Sequence, residues 1–172
     1  VFSPTRPAGV TNSWTNAVFM RQAADWFSDA EYIVSQGGLV AVDACSPGGD
    51  YDDIMYLQRF LAALKLTAGA ASLLHDHGWL AVHNAGLNHP LDYPDDAVNQ
   101  ASHPGQTIHT HFYADGTPTG ASNCIRKSEA VYKLFQDIMG FPLPVLTTEG
   151  GFWVGSRQDS RYPELSVETA SQ

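Results

Sequence analysis

The most informative stretch of this chain is Pro144-Val-Leu-Thr-Thr-Glu149-Gly-Gly-Phe-Trp153. Its apolar start predicts a short buried strand, which two threonines, one carboxylate, two glycines and two aromatic residues follow. A carboxylate at the carboxyl end of a buried strand lies where α/β barrels place their reactive groups. Glycines allow backbone or ligand to approach closely, and aromatic rings can stack on a ligand. Glu149 is therefore either a catalytic carboxylate or an ordinary acid at a strand-to-turn junction.

The composition predicts one folded domain over residues 1–172, with a poorly ordered polar end at 156–172. The chain is 44% hydrophobic and only 16% charged, which is typical of a globular domain. Its formal charge of −9 argues against nucleic acid or an anionic membrane as the main partner. No apolar run has the length of a membrane span. Cys45 and Cys124 are either bridged or two free thiols.

Two further strands are predicted upstream, at residues 39–42 and 79–84. Apolar spacing predicts the helices, which cover 14–36, a stretch that begins near 52, 68–77 and 124–139. This alternation favours an α/β fold with a parallel sheet, and the nearly continuous apolar runs are typical of strands covered on both faces. Three strands are fewer than a complete (β/α)8 barrel needs. The prediction is thus a partial barrel, with a small open α/β domain as the alternative.

Each predicted strand ends in polar residues. Asp43 and Ser46 follow the first strand, and the second ends in His83 and Asn84. Because the carboxyl ends of parallel strands lie on one side of a sheet, these residues should converge with Glu149. Taken singly, His83 also fits a hydrogen-bonded core position, and Asn84 fits a backbone-bonding role.

A metal site is a second hypothesis from the histidines. His109 and His111 lie on a predicted extended stretch at 107–113, where alternate residues share a face. They could bind zinc together with His83 or His103. The alternative is a polar loop, and the sequence predicts no bound cofactor.

The order of these segments resembles a known family. Its first part is Trp79-Leu-Ala-Val-His83 with the loop Tyr93-Pro-Asp-Asp96. Its second part is the helix at 126–139 leading into Leu143-Pro-Val-Leu-Thr-Thr-Glu149-Gly-Gly-Phe-Trp153. Together they resemble the C-terminal half of clan A glycoside hydrolase barrels of the cellulase-like and xylosidase-like families, over about residues 39–155. The resemblance implies barrel strands five to seven or eight, and a secreted or periplasmic protein.

The resemblance also implies roles for particular residues. Glu149 takes the place of the catalytic nucleophile at the end of strand seven. The candidate substrate-binding residues are His83, Asn84, His111, Tyr113 and Trp153. Retaining glycosidases pair the nucleophile with a second carboxylate about 5–5.5 Å away, the acid/base.

The family's acid/base follows an asparagine at the end of strand four. No Asn-Glu pair occurs in this sequence, so we expect the acid/base upstream of Val1, in a missing N-terminal half of the barrel. The expected function is hydrolysis of a β-linked oligo- or polysaccharide, with this part nearly inactive alone. A barrel that binds carbohydrate without turnover is the alternative, and a histidine-ligated metal hydrolase is less favoured.

Overall fold

The protein is built on a three-stranded parallel sheet with helices packed against it, in a computed structural model that describes residues 15–45, 52–109 and 123–170. The strands are β1 (Val40–Val42), β2 (Gly78–Leu87) and β3 (Val145–Phe152). The helices are α1 (Asn16–Ser35), α2 (Asp53–Leu66), α3 (Ala70–His77), α4 (Ala97–Ser102), α5 (Lys127–Met139) and α6 (Val167–Ala170). The strands lie side by side in chain order, which confirms the predicted α/β class with a parallel sheet.

Local signals explain where the main helices begin and end. The Asp52 side chain accepts a hydrogen bond from the Met55 amide, which caps the N-terminus of α2. Gly37, with φ of 81°, follows α1, and Gly140, with φ of 90°, ends α5. Glycine adopts this left-handed conformation without the steric penalty of a Cβ atom. These glycines therefore end α1 and α5 close to the predicted helix ends at residues 36 and 139.

The main core lies between one face of the sheet and the helices. Val40, Val42, Leu80 and Val82 point from β1 and β2 into this core. The helices α1, α2 and α5 supply its large side chains, which include Phe19, Phe60, Leu61, Leu64, Val131, Leu134 and Phe135. Full burial of one such leucine or phenylalanine contributes about 1.5–3 kcal/mol. This packing fixes the sheet relative to α2 and α5, whose N-termini lie near the candidate site.

The other face of the sheet, which we call the open face, carries Ala41, Trp79, Ala81 and Leu146. Because side chains alternate between the two faces of a strand, the register places these residues on the face opposite to the core residues. The first three are half-buried and Leu146 is 54% exposed. The prediction that the strands are covered on both faces is therefore wrong for β3, because its five residues 146–150 are all exposed. An apolar run alone does not distinguish a central strand from one with an open face.

Four further differences concern the segments around the site. β2 continues to Leu87, beyond its predicted end at residue 84, and β3 includes Glu149 instead of ending before it. Ile108 and His109 lie in a turn, so the extended stretch predicted there is wrong in its described part. The segment after β3, predicted to be poorly ordered, packs against the β2–α4 loop through Tyr162 and Asp159.

Among the described helices, none combines the length and the apolar character needed to cross a membrane.

Candidate functional site

The candidate site is the pair His83 and Glu149, which the sheet brings together from neighbouring strands. His83 of β2 is paired in register with Glu149 of β3. The His83 Nδ1 atom lies 3.7 Å from Glu149 Oε2, which is slightly too long for a hydrogen bond. The His83 side chain is 6% exposed and its Nδ1 has no hydrogen-bond partner, whereas the Glu149 side chain is 67% exposed. A buried ring nitrogen without a hydrogen-bond partner thus lies beside a carboxylate that faces solvent.

The predicted convergence of strand-end residues is seen for these two side chains. β1 ends at Val42, three residues before Cys45, and Asp43 follows the strand directly. Desolvation raises the pKa of the Asp43 carboxyl above its ordinary value. Asp43 and His83 both line a small cavity with Cys45 and Lys127. The other residue predicted at the end of β1, Ser46, lies outside the described residues.

Asn84 is part of the framework of the site. It is 7% exposed, its Oδ1 accepts a hydrogen bond from the Ser128 amide, and its Nδ2 donates to Thr147 Oγ1. Both ends of the amide are bonded to protein groups and link β2, β3 and the N-terminus of α5, and the role of Asn84 in substrate binding stays a prediction. A buried amide with both ends satisfied is costly to disturb.

The aromatic residues at the end of β3 differ in position. Phe152 packs on the backbone of Gly86, where an added Cβ would come within 2.5 Å of Phe152 Cε1. Trp153 follows the strand and is 52% exposed. Trp153 is therefore available to stack on a ligand, while Phe152 is held against β2. Two other predicted substrate contacts, His111 and Tyr113, lie outside the described residues.

The metal hypothesis gains no site in the described residues. Within residues 15–45, 52–109 and 123–170, no group of three or more His, Cys, Asp or Glu side chains could hold a metal ion. His109 lines a surface groove along α5 with Glu129 and Tyr132. His103 instead contacts the Arg161 guanidinium through Nδ1 at 3.2 Å.

A buried ion pair lies beneath the site and was not predicted. Lys127, the first residue of α5, pairs with Asp53, the first residue of α2, and their side chains are 3% and 2% exposed. Lys127 Nζ also donates to the Cys45 carbonyl, at 3.2 Å. The pair joins the two helix N-termini to the loop after β1. A partner 74 residues away in the chain leaves no signal in local sequence.

A second unpredicted cluster lies in the loops beyond β2 and β3. His89 is buried, with Nδ1 2.7 Å from the Asn123 carbonyl and Nε2 3.2 Å from Asp159 Oδ2. The Arg161 guanidinium donates to the Asp159 carboxylate and, with a smaller contribution from His89, holds the Asp159 pKa well below its ordinary value. Asn88 binds the Asp159 backbone at both its N–H and its carbonyl. These contacts fix the segment after β3 to the segment after β2.

Comparison of the chain with protein-family models, curated proteins and solved structures finds no match.

Proposed function

We propose that the chain forms part of a (β/α)8-barrel glycoside hydrolase in which Glu149 is the catalytic nucleophile. The observation that carries the proposal is the position of the Glu149 carboxylate, 3.7 Å from the His83 ring on the open face of a parallel sheet. The proposed substrate is a β-linked oligo- or polysaccharide, as the family resemblance implies.

The topology supports a barrel in two ways. The three parallel strands follow one another in chain order, which is the order of neighbouring strands in a barrel. Helices cover one face, and the opposite face carries the exposed Leu146. In a barrel, the helix-covered face points outward and the other face lines the interior, so the open face is the face that further strands would enclose.

Because the Glu149 carboxylate is exposed, it can reach the anomeric carbon of a bound sugar. One oxygen of Glu149 attacks the anomeric carbon while the bond from that carbon to the leaving oxygen breaks. The leaving oxygen takes a proton from a second, protonated carboxyl group, and the carboxylate so formed takes a proton from the water that releases the sugar from Glu149. In the proposed barrel, the second carboxylate is provided from across the open face. His83 positions Glu149, and Trp153 stacks on a sugar ring beside it.

The experiment is covalent labelling with 2-deoxy-2-fluoro-β-glycosyl fluorides of glucose, xylose and mannose. Such a probe needs no proton donor because fluoride is its leaving group. The carboxylate oxygen bonds to the anomeric carbon as fluoride departs, and the ester accumulates because the 2-fluoro group slows its hydrolysis. We expect peptide mapping by mass spectrometry to find one sugar on Glu149.

Two variants control the labelling. Glu149→Gln removes the nucleophile and should abolish the adduct. Glu31→Gln, an exposed glutamate on α1, makes the same chemical change away from the sheet and should leave labelling unchanged. Labelling that is spread over several surface carboxylates, or that persists in Glu149→Gln, would overturn the assignment.

The binding alternative gives a different result in the same samples. A barrel that binds carbohydrate without turnover would bind β-linked oligosaccharides, lose that binding in Trp153→Ala, and show no adduct on Glu149. Isothermal titration with cello- and xylo-oligosaccharides distinguishes the two functions.

A further inference from the structure

The strands β2 and β3 are paired out of their regular register only around the candidate site. Val82 pairs with Thr147, but His83 pairs with Glu149, so Thr148 is an extra residue in β3. The shifted register continues to the pair of Ala85 with Gly151. Leu87 then pairs with Phe152, so Gly86 is an extra residue in β2. Two compensating bulges therefore enclose a segment that is shifted by one residue.

The same two strand ends would also fit a regular ladder. From Val82 to Leu87 and from Thr147 to Phe152, each strand has the same number of residues. Without bulges, Thr148 would pair with His83, and Glu149 would pair with Asn84. The residues at both ends of the segment would keep their present partners. The lengths of the two strands are therefore compatible with both registers.

The choice of register decides where the Glu149 carboxylate points. A shift of one residue moves a side chain to the opposite face of a sheet, and bulges near active sites re-aim side chains in this way. In the observed register Glu149 faces His83. In the regular ladder it would point with Asn84 toward the N-terminus of α5, and Thr148 would take its place on the open face.

In the regular ladder Glu149 would be paired with Asn84, so the two side chains would lie beside each other on the same face of the sheet. The Asn84 amide is buried and bonded at 3.0 Å to the Ser128 N–H of α5 and at 2.9 Å to Thr147 Oγ1. The second bond holds the residue that comes just before the first bulge. A Glu149 side chain at this place would crowd the bonded amide, and each buried polar group that lost its partner would cost about 1–3 kcal/mol.

Two backbone features fit the shifted register. A Cβ atom on Gly150 would lie 2.7 Å from the Asn84 carbonyl oxygen, so only glycine allows this close approach. Leu87, where the second bulge closes, has φ of 53°, which is an unfavourable conformation for a leucine. Strain of this kind at a candidate site needs surrounding contacts to hold it.

We propose that Asn84 is a positioning residue: it selects the shifted register between the two bulges and thereby aims Glu149 at the open face beside His83. Its importance for catalysis rests on the proposed function, whereas its effect on register does not. Asn84 acts on Glu149 through Thr147 and Ser128.

The experiment measures register and labelling separately. Cross-strand backbone NOEs report whether residue 149 pairs with residue 83 or with residue 84. The fluoride probe reports how fast Glu149 is labelled. Asn84→Ala removes both bonds, Thr147→Val removes only the bond between strands, and Asn84→Asp restores acceptors for the Ser128 amide and the Thr147 hydroxyl. Thr148→Val is the matched control, with the same side-chain change one residue further along.

We expect Asn84→Ala to lose the 83–149 NOEs and to be labelled at least tenfold more slowly, with Thr147→Val intermediate. Asn84→Asp should recover the NOEs and most of the rate, and Thr148→Val should stay within twofold of wild type. If Asn84→Ala does not fold, the NOEs of Thr147→Val decide the outcome. Intact 83–149 NOEs in the variants that fold would overturn the proposal. Absence of label in the wild type, with NOEs that change as expected, would overturn only the proposed function.

Discussion

The largest change in stability that we predict is for loss of the buried ion pair Lys127–Asp53. Both side chains are almost fully buried, and the pair joins the N-termini of α5 and α2. Lys127 also donates to the Cys45 carbonyl in the loop after β1. Removal of one charge leaves the other buried without a counter-charge, and this cost is much larger than that of losing a surface pair.

The change is Lys127→Met, which replaces the side chain with an unbranched apolar one that is one heavy atom shorter and removes its charge. Breaking a buried pair from one side costs about 3–5 kcal/mol, a large fraction of the roughly 5–15 kcal/mol that stabilises a typical domain. With a urea m-value of about 2 kcal/mol/M, this corresponds to a midpoint lowered by about 1.5–2.5 M. Asp53→Asn should have a similar effect while still accepting the bond from the Ile54 amide.

The assay is urea denaturation followed by far-UV circular dichroism. The double variant Lys127→Met/Asp53→Asn contains no unpaired buried charge, so its loss should be smaller than the sum of the single losses by at least about 2 kcal/mol. Lys133→Met is the control. Lys133 pairs with Asp137 on the same helix, but both side chains are exposed, and we expect a change of less than about 0.5 kcal/mol.

Additive losses in the double variant, or a loss below about 1 kcal/mol in Lys127→Met, would contradict the prediction that Lys127 and Asp53 stabilise the fold as a buried ion pair. Either result would mean that the pair is hydrated in solution and does not hold the two helices together.

Three further predictions concern the thiols, the acid dependence and a helix cap. Burial raises the pKa values of Cys45 and Cys124 to about 12, so we expect neither thiol to react with Ellman's reagent at pH 8 until the protein is unfolded, when both should react. The Asp159 pKa is lowered by its bonds to Arg161; the carboxylate therefore stabilises the fold above about pH 4, the unfolded value, and this contribution is lost as the pH falls through the folded pKa. Asp159→Asn should lower the free energy of unfolding by about 1.5–3 kcal/mol at pH 7 and by less at pH 3, measured by urea denaturation. Asp52→Ala should lower it by about 0.5–2 kcal/mol through loss of the α2 cap, whereas equal stability would show that the cap is replaced by water.

The sequence predicted the parts of the fold that depend on local patterns. The glycines after α1 and α5, the acids at the start of α2 and the apolar runs of the three strands all act within a few residues. They were enough for the order of elements and for the α/β class. Asp96 acts just as locally: it is the N-cap of α4, and its side chain accepts bonds from the amides of Val98 and Asn99.

The sequence did not predict features that depend on distant pairing. Leu146 belongs to an apolar run, yet it is exposed because the open face has no described partner layer. The role of Asn84 follows from Thr147 and Ser128, which lie 63 and 44 residues away. The glycines at 86 and 150 were visible in the sequence, but only the register shows that they permit the close approach of two strands.

The decisive measurement is the mass of the peptide that contains Glu149 after treatment with the 2-fluoroglycosyl fluorides. We expect one covalently bound sugar on Glu149, absent in Glu149→Gln and retained in Glu31→Gln. No adduct with any of the three sugars, in protein shown by NMR to pair residues 83 and 149, would contradict the assignment of Glu149 as a glycosidase nucleophile.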